Sequence, residues 1–313
     1  MLSFKHQIKN FLLGMTLALL TSVAAAQYKL PVVASFSILA DMVHQIGGDL
    51  VEVSSLVGPN SDAHGFEPTP SDAKKLAQAK LVVINGLNFE GWTNRLIKSS
   101  GYKGEVIVAS KGSKTISLPS SDKNNKSHGH GHGHDHGTID PHAWQSLDNA
   151  KIYVKNIAAG LIRALPNHAE QIKIREQAYL KQIDELNQKA KHAFSAIPNE
   201  KRRVITSHDA FGYLSRAYNI RFFSPQGWTT DREPTAADVA RIHRQIRDQK
   251  ITALFLEKSS DGRLLERIAK DNGVNIGGTL YSDALSAPGT EADTYLKMYA
   301  HNVETLINGL QKQ

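Results

Sequence analysis

Four residues stand out as candidates for chemistry at a fixed point: His64, His142, His208 and Asp283. His64 lies in Asp62-Ala63-His64-Gly65-Phe66-Glu67-Pro68, between an apolar run and a helix start. His142 lies in Asp140-Pro141-His142-Ala143-Trp144, just before a helix that opens near Asp148. His208 follows the apolar run Arg203 to Thr206, and Asp283 follows Val274 to Leu280. In open α/β sheets, ligands bind beyond the carboxyl ends of the strands. His64, His208 and Asp283 occupy loops of that kind. Three imidazoles and one carboxylate can complete a four-coordinate shell around zinc, or a five-coordinate one if the carboxylate binds through both oxygens, at bonds of about 2.0–2.2 Å. The chain has no cysteine, so any metal site here must use nitrogen and oxygen. His44, His168, His192, His243 and His301 fall on helical stretches and are expected to be surface or packing residues.

A second group of histidines has a different character. His128, His130, His132, His134 and His136 alternate mainly with glycine inside the polar stretch 120–137, where Asp135 also lies. Glycine and polar residues cannot build a core, so a mobile loop is expected. Its five imidazoles suit weak capture of zinc, copper or nickel, in an auxiliary collecting or sensing role.

The elements that must position these residues read as repeated βα units. Strands are expected at Leu30–Phe36, Val51–Leu56, Lys80–Asn85 and Glu105–Ala109. A second set is expected at Arg203–Thr206, Arg221–Phe223, Ile251–Leu256 and Val274–Leu280. Helices intervene at Ile38–Ile46, after Pro70, and at Phe211–Tyr218, Ala236–Asp248 and Gly262–Asp271. A last helix runs from Asp293 to about Leu310. Strands that alternate with helices predict two α/β lobes with mostly parallel sheets. A local echo supports a shared plan: Glu67-Pro68-Thr69 and Glu233-Pro234-Thr235 each precede an aspartate by three residues, Asp72 and Asp238, at a helix start. Between the halves, the apolar positions from Pro166 to Ile197 keep helical spacing without an interrupting glycine or proline. About 30 residues of helix would span roughly 45 Å. That length suits a spine joining an N-terminal lobe, 27–165, to a C-terminal lobe, 198–313.

The amino terminus reads as a secretory signal. Lys5 and Lys9 precede the apolar run Phe11–Leu20, and Ala24-Ala25-Ala26 offers a small-residue cleavage site, so residues 1–26 are expected to be removed. The apolar run is about half the length of a membrane-spanning helix. Without cysteine there is no thiol for disulfides or lipid attachment, and a soluble periplasmic protein is the simplest expectation. The formal charge is +7, but the basic residues are scattered over helices and do not cluster among aromatics, which argues against nucleic acid as a partner. A zinc hydrolase would keep a coordination position open for water. Asp283 as a fourth ligand closes it, and neither a His-Glu-x-x-His helix nor a Gly-x-Ser-x-Gly elbow is present.

At these residues the chain resembles the periplasmic zinc/manganese solute-binding proteins of ABC importers, the ZnuA/TroA-like family. The resemblance covers nearly the whole mature chain. It rests on the block Asp62 to Asp72, the block Asp140 to Trp144, the block Ser207-His208-Asp209-Ala210-Phe211, the block Tyr281-Ser282-Asp283-Ala284-Leu285, and a His-rich insertion before the second ligand. It implies His64, His142, His208 and Asp283 as ligands, the long helix as spine, and Zn(II) as transported cargo handed to an inner-membrane ABC permease. It also implies a monomeric carrier without enzymatic activity, for which a periplasmic zinc chaperone is a further candidate partner. Ala63 stands where the family often has proline. His208 stands where manganese-preferring members commonly carry glutamate, and a third imidazole in place of an oxygen favours zinc. A manganese- or iron-preferring carrier of the same family and a metal-dependent adhesin are the alternatives.

Overall fold

In the computed structural model, residues 29–117, 139–228, 230 and 232–311 are described. The expected signal segment 1–26 and the histidines His128 to His136 lie outside them.

Two four-stranded sheets carry the chain. The first is built from β1 (Leu30–Phe36), β2 (Val51–Val57), β3 (Leu81–Ile84) and β4 (Glu105–Val108) in the order β2-β1-β3-β4. The second uses β5 (Arg203–Ile205), β6 (Arg221–Phe223), β7 (Ala253–Glu257) and β8 (Asn275–Leu280) in the order β6-β5-β7-β8. Both orders are the same once the strands are counted from the start of each lobe. All strand pairings within these sheets are parallel, as expected when helices supply the crossovers.

The first lobe adds helices α1 (Ser37–Gly47), α2 (Pro70–Gln78), α3 (Thr93–Ser100) and α4 (Leu147–Ala164). Pro70 occupies the first turn of α2, where its missing N–H costs nothing. Thr69 and Asp72 form a reciprocal capping box, and Thr235 and Asp238 repeat it at the start of α7 (Ala236–Gln249). The echoed sequence therefore has one structural meaning in both lobes. The other helices are α6 (Gly212–Tyr218), α8 (Arg263–Asn272) and α9 (Tyr295–Gln311). Helix α3 has no side-chain cap and begins after Trp92, and its sequence carries no start signal.

The lobes are joined by α5 (Ala169–Ser195), entered through a short 3-10 turn at Pro166–His168. Its 27 residues extend about 40 Å. Ile172, Tyr179, Leu180, Ile183, Asn187, Ala190 and Phe194 form its buried stripe, which packs on α1, α4, α6 and α9.

One apolar core runs from the first sheet through the spine to the inner face of the second sheet. A smaller cluster covers the outer face, with Ile205 and Leu254 packed on Ile242, Ile246, Leu265 and Ile268. Alternation along single strands explains the division: Val204 and Phe255 point to the large core, Ile205 and Leu254 to the small one. The strand carboxyl ends of both sheets converge on the space between the lobes.

Candidate metal centre

His64 comes from the loop between β2 and α2. Asp62 accepts the His64 N–H at 2.8 Å, which fixes the turn. The carbonyl of Ala63, fully buried, accepts the Trp92 indole N–H at 3.0 Å. The edge of the His64 ring meets Phe89, with centroids 4.6 Å apart. Phe89 packs in turn on Phe36 and Trp144, and the next residue, Glu90, is a buried carboxylate that accepts from Ser35 Oγ at 2.5 Å and from the Asn85 N–H at 2.6 Å.

His142 comes from the turn after an antiparallel bridge between Ser117 and Ile139. Asp140 Oδ1 accepts the His142 backbone N–H at 3.0 Å and lies 2.8 Å from its Nδ1. The Pro141 carbonyl is held by Asn85 Nδ2 at 3.0 Å, and Tyr153 fixes Asn85 from the other side at 2.6 Å. A Cβ added at Gly212, where α6 begins, would sit 2.6 Å from Asp140 Oδ2. Glycine there lets the second lobe approach this carboxylate.

His208 follows β5. Its backbone N–H donates to Glu257 Oε1 at 2.9 Å, and its Nδ1 is 2.7 Å from Glu257 Oε2. Glu257 is the last residue of β7 and is fully enclosed. In both His142 and His208 a carboxylate behind Nδ1 selects the tautomer that turns the Nε2 lone pair forward. Asp283 follows β8. Its preceding carbonyl, on Ser282, accepts from Trp144 Nε1 at 3.0 Å and from Gln145 Nε2 at 2.8 Å.

These four side chains meet at one point. His64 Nε2 and His142 Nε2 are 3.2 Å apart. Asp283 lies 3.7 Å from His64 Nε2, 3.6 Å from His142 Nε2 and 3.1 Å from His208 Nε2. One ligand atom from each residue lies within 4.8 Å of all the others. A tetrahedron with bonds of about 2.0–2.2 Å has edges of about 3.3–3.6 Å, and the contacts bracket that range. His142, His208 and Asp283 are at most 1% exposed. Both Asp283 oxygens and His208 Nε2 are buried without an aligned hydrogen bond, although their neighbours are close. Buried polar atoms left without aligned partners are costly, and here they face a common centre of the size a cation would fill.

The electrostatics agree. Burial alone would push the Asp283 carboxyl above its ordinary value, but the imidazoles of His208, His142 and His64 outweigh it and hold this carboxyl well below the usual carboxylate range. Burial likewise disfavours charge on His208. The carboxylates of Glu257 and Asp283 outweigh it and push this imidazole well above its ordinary value. In the ion-free chain a proton on His208 therefore does part of the work of a cation.

The structure thus brings together all four residues singled out in the sequence. It leaves the other helical histidines elsewhere: His44 on α1, His168 in the turn before α5, His192 on α5, His243 on α7 and His301 on α9. Sequence reasoning left the supports unassigned. Asp140 could have been found from its position two residues before His142. Glu90 and Gln145 gave no such signal, since their partners are distant in sequence.

A family model for ZnuA, the periplasmic zinc-uptake complex component A, matches residues 32–309. The chain belongs to this family. Among curated relatives of this ZnuA family member, the manganese ABC transporter substrate-binding lipoprotein PsaA of Streptococcus pneumoniae is 34% identical over 298 residues, covering 93% of this chain and 92% of that protein. The metal ABC transporter substrate-binding lipoprotein FimA of Streptococcus parasanguinis is 33% identical, covering 93% and 92%. Among solved structures, the periplasmic zinc binding protein TroA from Treponema pallidum superposes with a TM-score of 0.80 at 30% identity, over 90% of this chain and 99% of that one. A manganese-bound periplasmic metal binding protein from Candidatus Liberibacter asiaticus gives 0.78 at 26% identity, over 90% and 100%. The two parallel-sheet lobes with a long helix between them are the fold of TroA. The chain is a metal-binding component of an ABC importer.

Proposed function

We propose that this protein captures Zn(II) between its lobes in the periplasm and delivers it to the permease of an ABC importer. The observation that carries the reading is the convergence of three imidazole nitrogens and one carboxylate on a single buried point. His64, His142, His208 and Asp283 are the proposed ligands. Imidazole suits zinc, whereas manganese favours oxygen donors and six-coordination. Asp283 is the only oxygen ligand in the set, and the enclosed geometry leaves little room for the waters manganese would keep. A site whose four positions are filled by protein binds its ion without presenting a reactive water, as suits a carrier rather than a hydrolase. Replacing the ion's water shell with these groups favours the closed arrangement of the lobes, and the permease then takes the loaded form. The segment containing His128, His130, His132, His134 and His136 would collect zinc for this centre.

A manganese carrier is the second reading, favoured by the name of PsaA and by the manganese-bound neighbour. Elemental analysis of protein purified from its native envelope, with competitive titration of zinc against manganese, decides between them. Zinc is expected in near-equimolar amount and displaces manganese. Recovery of manganese, undisplaced by equimolar zinc, would overturn the zinc assignment.

A further inference from the structure

By chain order Asp283 belongs with His208, since both follow strands of the second sheet. Its hydrogen bonds run the other way. The Ser282 carbonyl accepts Trp144 Nε1 at 3.0 Å and Gln145 Nε2 at 2.8 Å. A carbonyl oxygen has two lone pairs, so the two donors together fix the peptide plane next to Asp283. Trp144, Gln145 and Ser282 are at most 1% exposed, which leaves no water to substitute for either donor. Two residues beyond Asp283, the Leu285 N–H donates to Ser37 Oγ at 3.0 Å, and its carbonyl accepts from the Asn60 N–H at 2.8 Å. All four partners lie in the first lobe.

The clamp on the other flank reaches both lobes. Asn302 of α9 donates to the Tyr281 carbonyl at 2.7 Å and accepts its N–H at 2.9 Å. Helix α9 packs on β8, and its tyrosines also tie it to the first lobe. Asp41 of α1 accepts the Tyr295 N–H at 2.8 Å, and the hydroxyls of Tyr295 and Tyr299 donate to the carbonyls of Trp144 and Gln145 at 2.6 Å and 3.1 Å. His208 is held otherwise. Its N–H and Nδ1 meet Glu257, the Thr206 N–H donates to Phe223, and the Asp209 N–H donates to Gly227. Every one of these partners lies in the second lobe. Bonds that do cross from the second lobe proper, Thr230 to Asp62 and Tyr213 to Asp140, come from other segments.

We infer that Trp144 and Gln145 are positioning residues for Asp283. They fix it to the first lobe, so that His64, His142 and Asp283 form a rigid three-ligand half-site and His208 is the ligand that departs when the lobes separate. The inference rests on the proposed metal function and adds the order of release to it.

The chain lacks cysteine, so spin labels can be introduced without background. One pair joins Asn94→Cys on α3 to Ala287→Cys beyond Asp283, and the other joins Asn94→Cys to Lys270→Cys on α8; all three positions are exposed. Pulsed dipolar distances are recorded with and without zinc, and zinc uptake is measured by titration on the same samples. The 94–287 distance is expected to stay constant while the 94–270 distance changes. In the Gln145→Leu background the 94–287 distance should become zinc-dependent, and zinc dissociation should accelerate about ten- to a hundredfold, the usual scale for outer-shell supports. Equal movement of both pairs in the parent chain, no movement of the 94–270 pair, or unchanged dissociation in Gln145→Leu would each overturn the assignment. A parent chain that takes up no zinc would instead count against the function on which it rests.

Discussion

A carboxylate behind an imidazole fixes which nitrogen carries the proton and makes the other a better donor. Glu257 does this for His208 and Asp140 for His142. Glu257→Gln keeps the shape of the support and removes its charge. Zinc affinity, measured by competition with a chromophoric chelator, should fall about ten- to a hundredfold. An unchanged affinity would mean that Glu257 only packs. The pH dependence has a definite sign. Glu257 and Asp283 push His208 well above its ordinary value, so zinc must displace a proton from it throughout the neutral range. Apparent affinity should drop about tenfold for each unit of acidification, and more steeply below about pH 6.5, where imidazoles ordinarily charge. In the ion-free chain, the stability that protonated His208 contributes is complete below its unfolded value near 6.5. It is lost as the pH rises through the raised folded value. The increase in Tm caused by zinc should therefore grow from pH 6 to pH 9, and a flat increment would refute this account of His208.

At the scale of elements, the bridge between Ser117 and Ile139 closes the chain on itself directly before Asp140. The Asp140 N–H then donates to the Ile116 carbonyl at 2.8 Å. These contacts make the His142 turn independent of how many residues lie between 118 and 138. Deleting residues 128–136 should leave zinc affinity at the main centre within about twofold, since the bridge at 117 and 139 closes the turn that carries His142. Uptake under zinc scarcity should nevertheless slow in cells carrying the deletion. Undiminished uptake would deprive the segment of its collecting role. Elements with local signals were legible in the sequence. Pro70 with Ser71 and Asp72 announced α2, and unbroken helical spacing announced α5. Helix α3 was not legible, because no side chain caps its start. The four residues that converge were legible because each sits at a loop of recognisable chemistry. The supports were not: Gln145 and Ser282 are 137 residues apart, and no local pattern connects them.

Across the whole molecule, two sheets of one strand order face each other at the carboxyl ends of their strands, and a single uninterrupted helix spans both lobes. Exposed positions in the middle of α5 test its stiffness without disturbing its buried stripe. Lys181→Gly with Gln182→Gly should cost about 1 kcal/mol of stability per site, read from urea unfolding. Zinc should also leave the double variant faster, as the shaft yields more readily. Faster release without loss of equilibrium ligand geometry, monitored by the absorption spectrum of the cobalt-loaded chain, is the expected pattern; an unaltered release rate would mean that α5 takes no part in opening. Helix α5 contains no glycine and no proline, so the lobes have no joint to turn on there. Separation must flex a rod, and a rod pushes back in proportion to how far it is bent. The time an ion stays aboard should then depend on elasticity as well as on coordination, and a partner that grips both lobes would release the cargo by bending the rod.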